Sequence, residues 1–475
     1  MADDQPFSKP LLAVHQILTP YVLLVAALAI PHRPRLVSAI FLPPLWTCYY
    51  HLVQTTSQCR AVAFVSGAFA AYHAFLSFDF LVLRDPRREF RRTSPSHKDG
   101  WESYPLDSIP RRLSWLLDLV TTMRGVGWNW GIRPVPRETA TTLQMFLRQR
   151  GARLVLIWVL LDAMVFWMQE VDAGFFLPEG NAFDNDDAGG VRTTVFPGLF
   201  AASVKAGEVL VPRGFPEMPG GGVGRVVYTA TLHTWRTSLQ GAMLYTVIDG
   251  AYTVSAVAFS AVGGLVGVVW PGGRRARWLD WRSWPGVFGV WAHGDWGHGL
   301  TGWWGRAWHG LFKYTFISPP RYICSALNLP LASPASIALR LFSPFVMSAL
   351  LHFSSGYTTS SGGWGSARVF LLQPFGILIE QVFLYVYRRT VAPRKTLERW
   401  TPYVWTFCWL MITMDPFFEE MRHGGVWALQ PVPVSVWKGL AGVGEGWWAW
   451  RRDTRVGWRS WWVWDESMGG WGITV

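Results

Sequence analysis

Ala335 to Phe353 reads ASIALRLFSPFVMSALLHF, and this run decides the fold. A helix crosses a bilayer with about 20 mostly apolar residues, because the hydrocarbon offers no water to bond an exposed backbone group. Runs of the same kind recur at 11–30, 36–56, 61–83, 152–171, 243–270, 366–387 and 401–421. The expected fold is therefore all-α, a polytopic transmembrane helical bundle of about eight spans. The stretch 228–270 is the least regular: its first half is polar, and Gly263 and Gly264 allow its second half to bend.

Composition agrees. The chain is 50% hydrophobic and only 16% charged, against about 25% charged residues in a soluble globular chain. It holds 31 Trp, and indole rings favour the boundary between lipid and water. The formal net charge is +12. Basic chains can bind nucleic acid, but no groove-reading motif accompanies the charge. The cations lie between apolar runs, as anionic headgroups and topology signals require. Cys48, Cys59, Cys324 and Cys408 are scattered and form no CxxC pair, so neither a zinc site nor a disulfide framework is indicated. Asp3 and Asp4 precede the first run, which lacks the basic start of a cleaved signal and is expected to remain.

The basic loops set an orientation. Arg84, Arg87, Arg88, Arg91, Arg92 and Lys98 place their loop in the cytosol, and one scheme also puts Arg274, Arg275, Arg277, Arg306, Lys313, Arg321, Arg388, Arg389, Arg394 and Lys395 there. The Gly/Asp-rich loop at 172–227 then falls in the lumen. Residues 1–430 read as one transmembrane domain, and 431–475 as a Trp/Arg-rich tail, surface-lying or disordered. No repeat of fixed period appears.

Four short segments can carry chemistry. In Trp303-Trp304-Gly305-Arg306-Ala307-Trp308-His309, a helix would put Trp304 and Trp308 on one side, and Arg306 and His309 on another. A cation, an imidazole and flat aromatic walls suit an anionic, adenine-bearing donor; the alternative, which spacing alone favours, is an interfacial amphipathic helix with aromatic anchors. His352 ends the apolar run quoted above. An ionisable group at lipid depth is a functional candidate by default, and imidazole suits proton removal from an alcohol near neutral pH; the alternative is an interfacial histidine bonded to backbone. Arg124-Gly125-Val126-Gly127-Trp128-Asn129-Trp130 has two glycines for a turn or close approach, or is an ordinary loop. Gln373 and Glu380 lie seven apart, on one face of a helix. Two further clusters are weaker. His293 and His298 are five apart and lack a third ligand, so no metal is expected. Asp184, Asp186 and Asp187 read as a solvated loop.

Taken in order, the segments at 124–130, 303–309, 348–352 and 373–380 resemble the wax synthase-like branch of the membrane-bound O-acyltransferases (MBOAT), especially fungal members that acetylate terpenoid or meroterpenoid alcohols. The family's central pattern resembles Phe-Trp-Gly-Arg-Arg-Trp-His, from which this chain departs at Trp303 and Ala307; in a second, Ser-Gly-Leu-x-His, Ala349 replaces the glycine. The resemblance implies an MBOAT-like fold and an acyl-CoA-dependent acetyltransferase of secondary metabolism, multi-pass in the endoplasmic reticulum. It implies acetyl-CoA as co-substrate with no bound cofactor or metal, and an apolar alcohol as acceptor. His352 and His309 would be catalytic, the first as general base. Arg306, Trp304 and Trp308 would bind the donor, and Arg124, Trp128, Asn129, Gln373 and Glu380 would support substrate or structure. The alternatives are a membrane prenyltransferase or terpene cyclase, which predicts magnesium dependence through Asp184 and Asp187, and a non-enzymatic transporter-like protein.

Overall fold

The computed structural model describes residues 9–30, 34–57, 59–93, 100–131, 139–172, 175, 223–269, 276–289, 298–390, 395–428, 431–442, 447, 463–465 and 470–472. The principal helices are α1 (Val14–Ala29), α2 (Pro34–Val53), α3 (Arg60–Phe78), α4 (Ile109–Thr121), α5 (Leu143–Phe166), α6 (Val223–Val269), α7 (Lys313–Ala326), α8 (Pro334–Thr358), α9 (Trp364–Thr390), α10 (Lys395–Thr413), α11 (Asp415–His423) and α12 (Val436–Ala441). Two antiparallel two-stranded ribbons, Arg92–Thr93 with Trp101–Glu102 and Val463–Asp465 with Gly470–Gly472, are the strands among the described residues. Most of the Asp-rich loop, and His293, lie outside those residues.

Among the described residues six helical stretches are long and apolar enough to cross a membrane: Arg35–Val53, Arg60–Leu83, Leu143–Val171, Ala230–Val269, Pro334–Thr358 and Trp364–Thr390. The first expected span is the shorter helix α1, and the last is divided between α10 and α11. The polar first half of 228–270 is helical too, continuous with the second.

The pattern along α9 shows why these helices face lipid. Its buried face carries Ser366, Gln373 and Glu380 beside Ala367, Val369 and Ile377, while Leu371, Leu372, Phe375, Ile379, Val382 and Phe383 are exposed. Polar-inside, apolar-outside inverts the pattern of a helix on a soluble protein. In hydrocarbon a polar group must find a partner within the bundle. α8 repeats the arrangement, burying Ser336, Ser348, Ser355 and Thr358 and exposing Ile337, Val346 and Leu350.

Contacts divide the chain into two compact units: Met1–Gln149 with Ser255–Trp427 and Arg459–Val475, and Arg150–Val254 with Ala428–Trp458. In the second unit Arg153 pairs with Asp249 at 2.7 Å and Arg236 with Asp172 at 2.6 Å. Asp162 there accepts from the Val436 and Trp437 N–H groups at 2.7 and 3.2 Å, capping α12 at the start of the Trp-rich tail. The first unit holds the segments at 124–130, 303–309, 348–352 and 373–380. In it α3 and α8 approach closely at Gly67, where a Cβ would fall 2.3 Å from the Ser354 carbonyl oxygen; small residues permit such crossings.

Candidate active site

His352 lies on α8 with its ring turned into the bundle. Phe370 of α9 stacks on it, with centroids 4.1 Å apart and 6° between planes. Phe417 of α11 meets it edge-on at 5.3 Å, and Phe64 of α3 lies at 6.4 Å. Three helices thus wall the imidazole with aromatic rings. Its Nδ1 is buried and has no hydrogen-bond partner. His309 is its electrostatic neighbour.

His309 follows a helical segment that changes pitch. Gly299–Gly302 is α-helical, and Trp303–Ala307 is a π-turn, closed by the Trp308 N–H bonding the Trp303 carbonyl five residues back at 2.8 Å. Trp308 is extended, so the helix ends before His309. Arg306 and His309 therefore share no helical face. Trp304 and Trp308 remain neighbours, with centroids 6.3 Å apart. The His309 ring lies among Trp308, Phe288 and Phe312, at 5.3, 6.2 and 5.8 Å. Its Nδ1 too is buried without a partner. Burial, and secondarily the Arg124 guanidinium, holds this imidazole down to about 4, so it is neutral at pH 7. Arg306 is exposed.

Gln373 and Glu380 both reach this segment from α9. The Gln373 side chain is fully buried, and its Oε1 accepts the Trp304 indole N–H at 3.2 Å. Its Nε2 donates to the Val369 carbonyl at 2.9 Å and the Thr413 hydroxyl at 3.3 Å. Two turns on, Glu380 accepts the Leu300 backbone N–H at 3.2 Å. Gly299 makes room for it: φ is +63°, and a Cβ would fall 1.5 Å from Glu380 Oε1. Only glycine meets both demands cheaply.

The loop after α4 is fixed by two glycine turns and by contacts to several other segments. Gly125 and Gly127 have φ of +61° and +76° and are closely approached, by the Trp130 ring and by Arg277. Arg124 is buried and donates to the Pro285 and Gly286 carbonyls at 3.3 and 2.9 Å. Asn129 accepts the Arg91 N–H at 3.0 Å and donates to the Glu89 carbonyl at 2.9 Å. Trp128 packs on Trp115 at 4.8 Å. Asn129 and Trp128 thus anchor the loop and contact neither histidine in any of these interactions.

Sequence reading missed several contributors. Phe64, Phe370 and Phe417 come from three helices and carry no local signal. A buried ion network was also unforeseen: Arg92 lies 2.7 Å from Glu102 and 3.7 Å from Asp118, Arg111 lies 3.1 Å from Glu102, and Arg277 lies 3.9 Å from Asp118. Desolvation raises the Asp118 carboxyl to about 6 against the pull of Arg277 and Arg92. Among the described residues no three His, Cys, Asp or Glu side chains gather as for a metal ion.

Two buried histidines, a helical frame and aromatic walls have the chemistry that acid–base work on an apolar substrate requires. Comparison with known proteins gives the class. Residues 284–372, which include His309 and His352, match the membrane bound O-acyl transferase family. O-Mevalon transferase yanI of Aspergillus niger is 24% identical over 79% of this chain and 74% of its own length. Acetyltransferase eriL of Hericium erinaceus is 26% identical over 43% of this chain and 50% of its own. O-Mevalon transferase macI of Penicillium terrestre is 24% identical over 86% and 84%. No solved structure matches. The chain is similar to the membrane-bound O-acyltransferases, and the match and these relatives support a multi-pass O-acyltransferase.

Proposed function

We propose that this enzyme transfers an acetyl group from acetyl-CoA to a hydroxyl of an apolar, terpenoid-type alcohol in secondary metabolism, within the endoplasmic reticulum membrane. The observation that carries the reading is the His352 ring, held among Phe370, Phe417 and Phe64 with Nδ1 unpartnered. His352 takes the proton of the acceptor hydroxyl as its oxygen attacks the thioester carbonyl. The carbon–sulfur bond breaks, and the departing thiolate recovers that proton as free coenzyme A. His309 is neutral at pH 7 and can orient the hydroxyl or donate a hydrogen bond to the developing oxyanion. Exposed Arg306 binds donor phosphate, and the Trp304 and Trp308 rings flank the adenine. The acceptor arrives from the bilayer, and residues 1–430 carry the activity.

The test is a microsomal assay with labelled acetyl-CoA and a panel of terpenoid alcohols. His352→Ala should lower turnover by about 10²-fold or more, the scale of losing an acid–base group; near-normal turnover in that variant refutes the assignment. The O-Mevalon transferases among the relatives support a second reading, a larger acyl group in place of acetyl. A mevalonyl thioester in the same assay separates the two.

A further inference from the structure

Gln373 spends its acceptor oxygen twice. Besides the Trp304 indole N–H, it takes the Trp409 indole N–H of α10, also at 3.2 Å. Both lone-pair directions of one buried amide oxygen are therefore filled, and the amide is oriented by its two donated bonds to Val369 and Thr413. Trp409 is seated by shape as well. A Cβ at Gly376 would fall 2.3 Å from the Trp409 ring, so the indole lies directly on the α9 backbone one turn from Gln373. On the far side, Trp304 packs edge-on against Phe370, with centroids 5.9 Å apart at 63°. Phe370 is the ring that stacks on His352. The contacts run without a break from Trp409 through Gln373, Trp304 and Phe370 to the imidazole.

We propose that Gln373 and Trp409 are positioning residues, whose shared hydrogen bond fixes Trp304 against Phe370 and thereby sets the pose of the His352 ring. This deepens the acyltransferase reading and rests on it. One consequence is that the Trp304 indole N–H is already committed, so Trp304 offers a substrate only its ring face. A second is that α10, which holds no residue of the reacting pair, governs catalysis through Trp409.

Gln373→Leu removes the acceptor at nearly constant volume, Gln373→Glu restores an oxygen, and Trp304→Phe removes the indole N–H it serves. Each is assayed for kcat and KM in membranes normalised to folded enzyme, alone and as the Gln373→Leu, Trp304→Phe pair. The expected result is a kcat at least tenfold lower for Gln373→Leu, recovered within about threefold by Gln373→Glu. In the Trp304→Phe background Gln373→Leu should cost less than twofold more. Gly376→Ala, which displaces the Trp409 ring, should lower kcat in the same way. Full additivity of the pair, or a lowered melting temperature with kcat per folded enzyme unchanged, overturns the proposal. A wild-type chain that transfers no acyl group from any donor refutes the acyltransferase chemistry itself and takes the clamp with it, a result told apart before any variant is compared.

Discussion

Arg124 illustrates how one residue sets the behaviour of another. Its guanidinium adds to burial in holding His309 down to about 4, well below the usual 6.5. The folded state then binds fewer protons than the unfolded chain between those values. Stability tied to His309 is complete above about 6.5 and is lost as pH falls toward 4. Arg124→Gln removes the repelling charge, so the His309 value rises toward normal. The acid limb of kcat/KM should move to higher pH; a limb that stays in place would show that the charge does not act on the reacting pair. His352 was legible in the sequence because an ionisable group is costly in an apolar run. The aromatic box around it was not, since Phe64, Phe370 and Phe417 look like ordinary apolar residues until three helices bring them to one ring.

At the scale of elements, α9 is the post to which segment 299–309 is tied. The seven-residue spacing of Gln373 and Glu380 was readable as one helix face, and the structure gives that face its purpose: one residue grips an indole, the other a backbone N–H. The change of pitch at Trp303–Ala307 was not readable, because a π-turn is decided by packing and not by propensity. Gly299→Ala would drive a methyl into Glu380 at a positive φ. Beyond backbone strain of about 1–3 kcal/mol, this should detach the start of the segment. A lower melting temperature in detergent, with transfer lost, is the expected outcome; an alanine variant of normal stability and turnover would show that the tie is dispensable.

Across the whole molecule, the apolar runs were the most legible feature, since lipid leaves few ways to satisfy a backbone. Among the described residues, six of the eight expected spans meet the length and apolarity of a crossing helix. The ion network of Arg92, Arg111, Glu102, Asp118 and Arg277 was illegible, because the spacing of its members fits no single helix face and each reads alone as a loop or surface charge. The positive-inside rule predicts that the segment after α3 faces the cytosol. A tag between Pro95 and Lys98, outside the described residues, should be cleaved by protease added to intact microsomes, and protection would invert the orientation.

The turn at 303–307 also makes chain length itself a variable of the chemistry. A single residue in a regular helix accounts for about 100° of rotation, and the loop closed between Trp303 and Trp308 holds one more residue than an α-turn would. Taking out any one of the five would leave the spans and nearly the whole composition intact, yet swing Trp308 and His309 a quarter-circle away from their present bearing. The number of residues in that stretch is thus fixed as firmly as the identity of Trp304 within it.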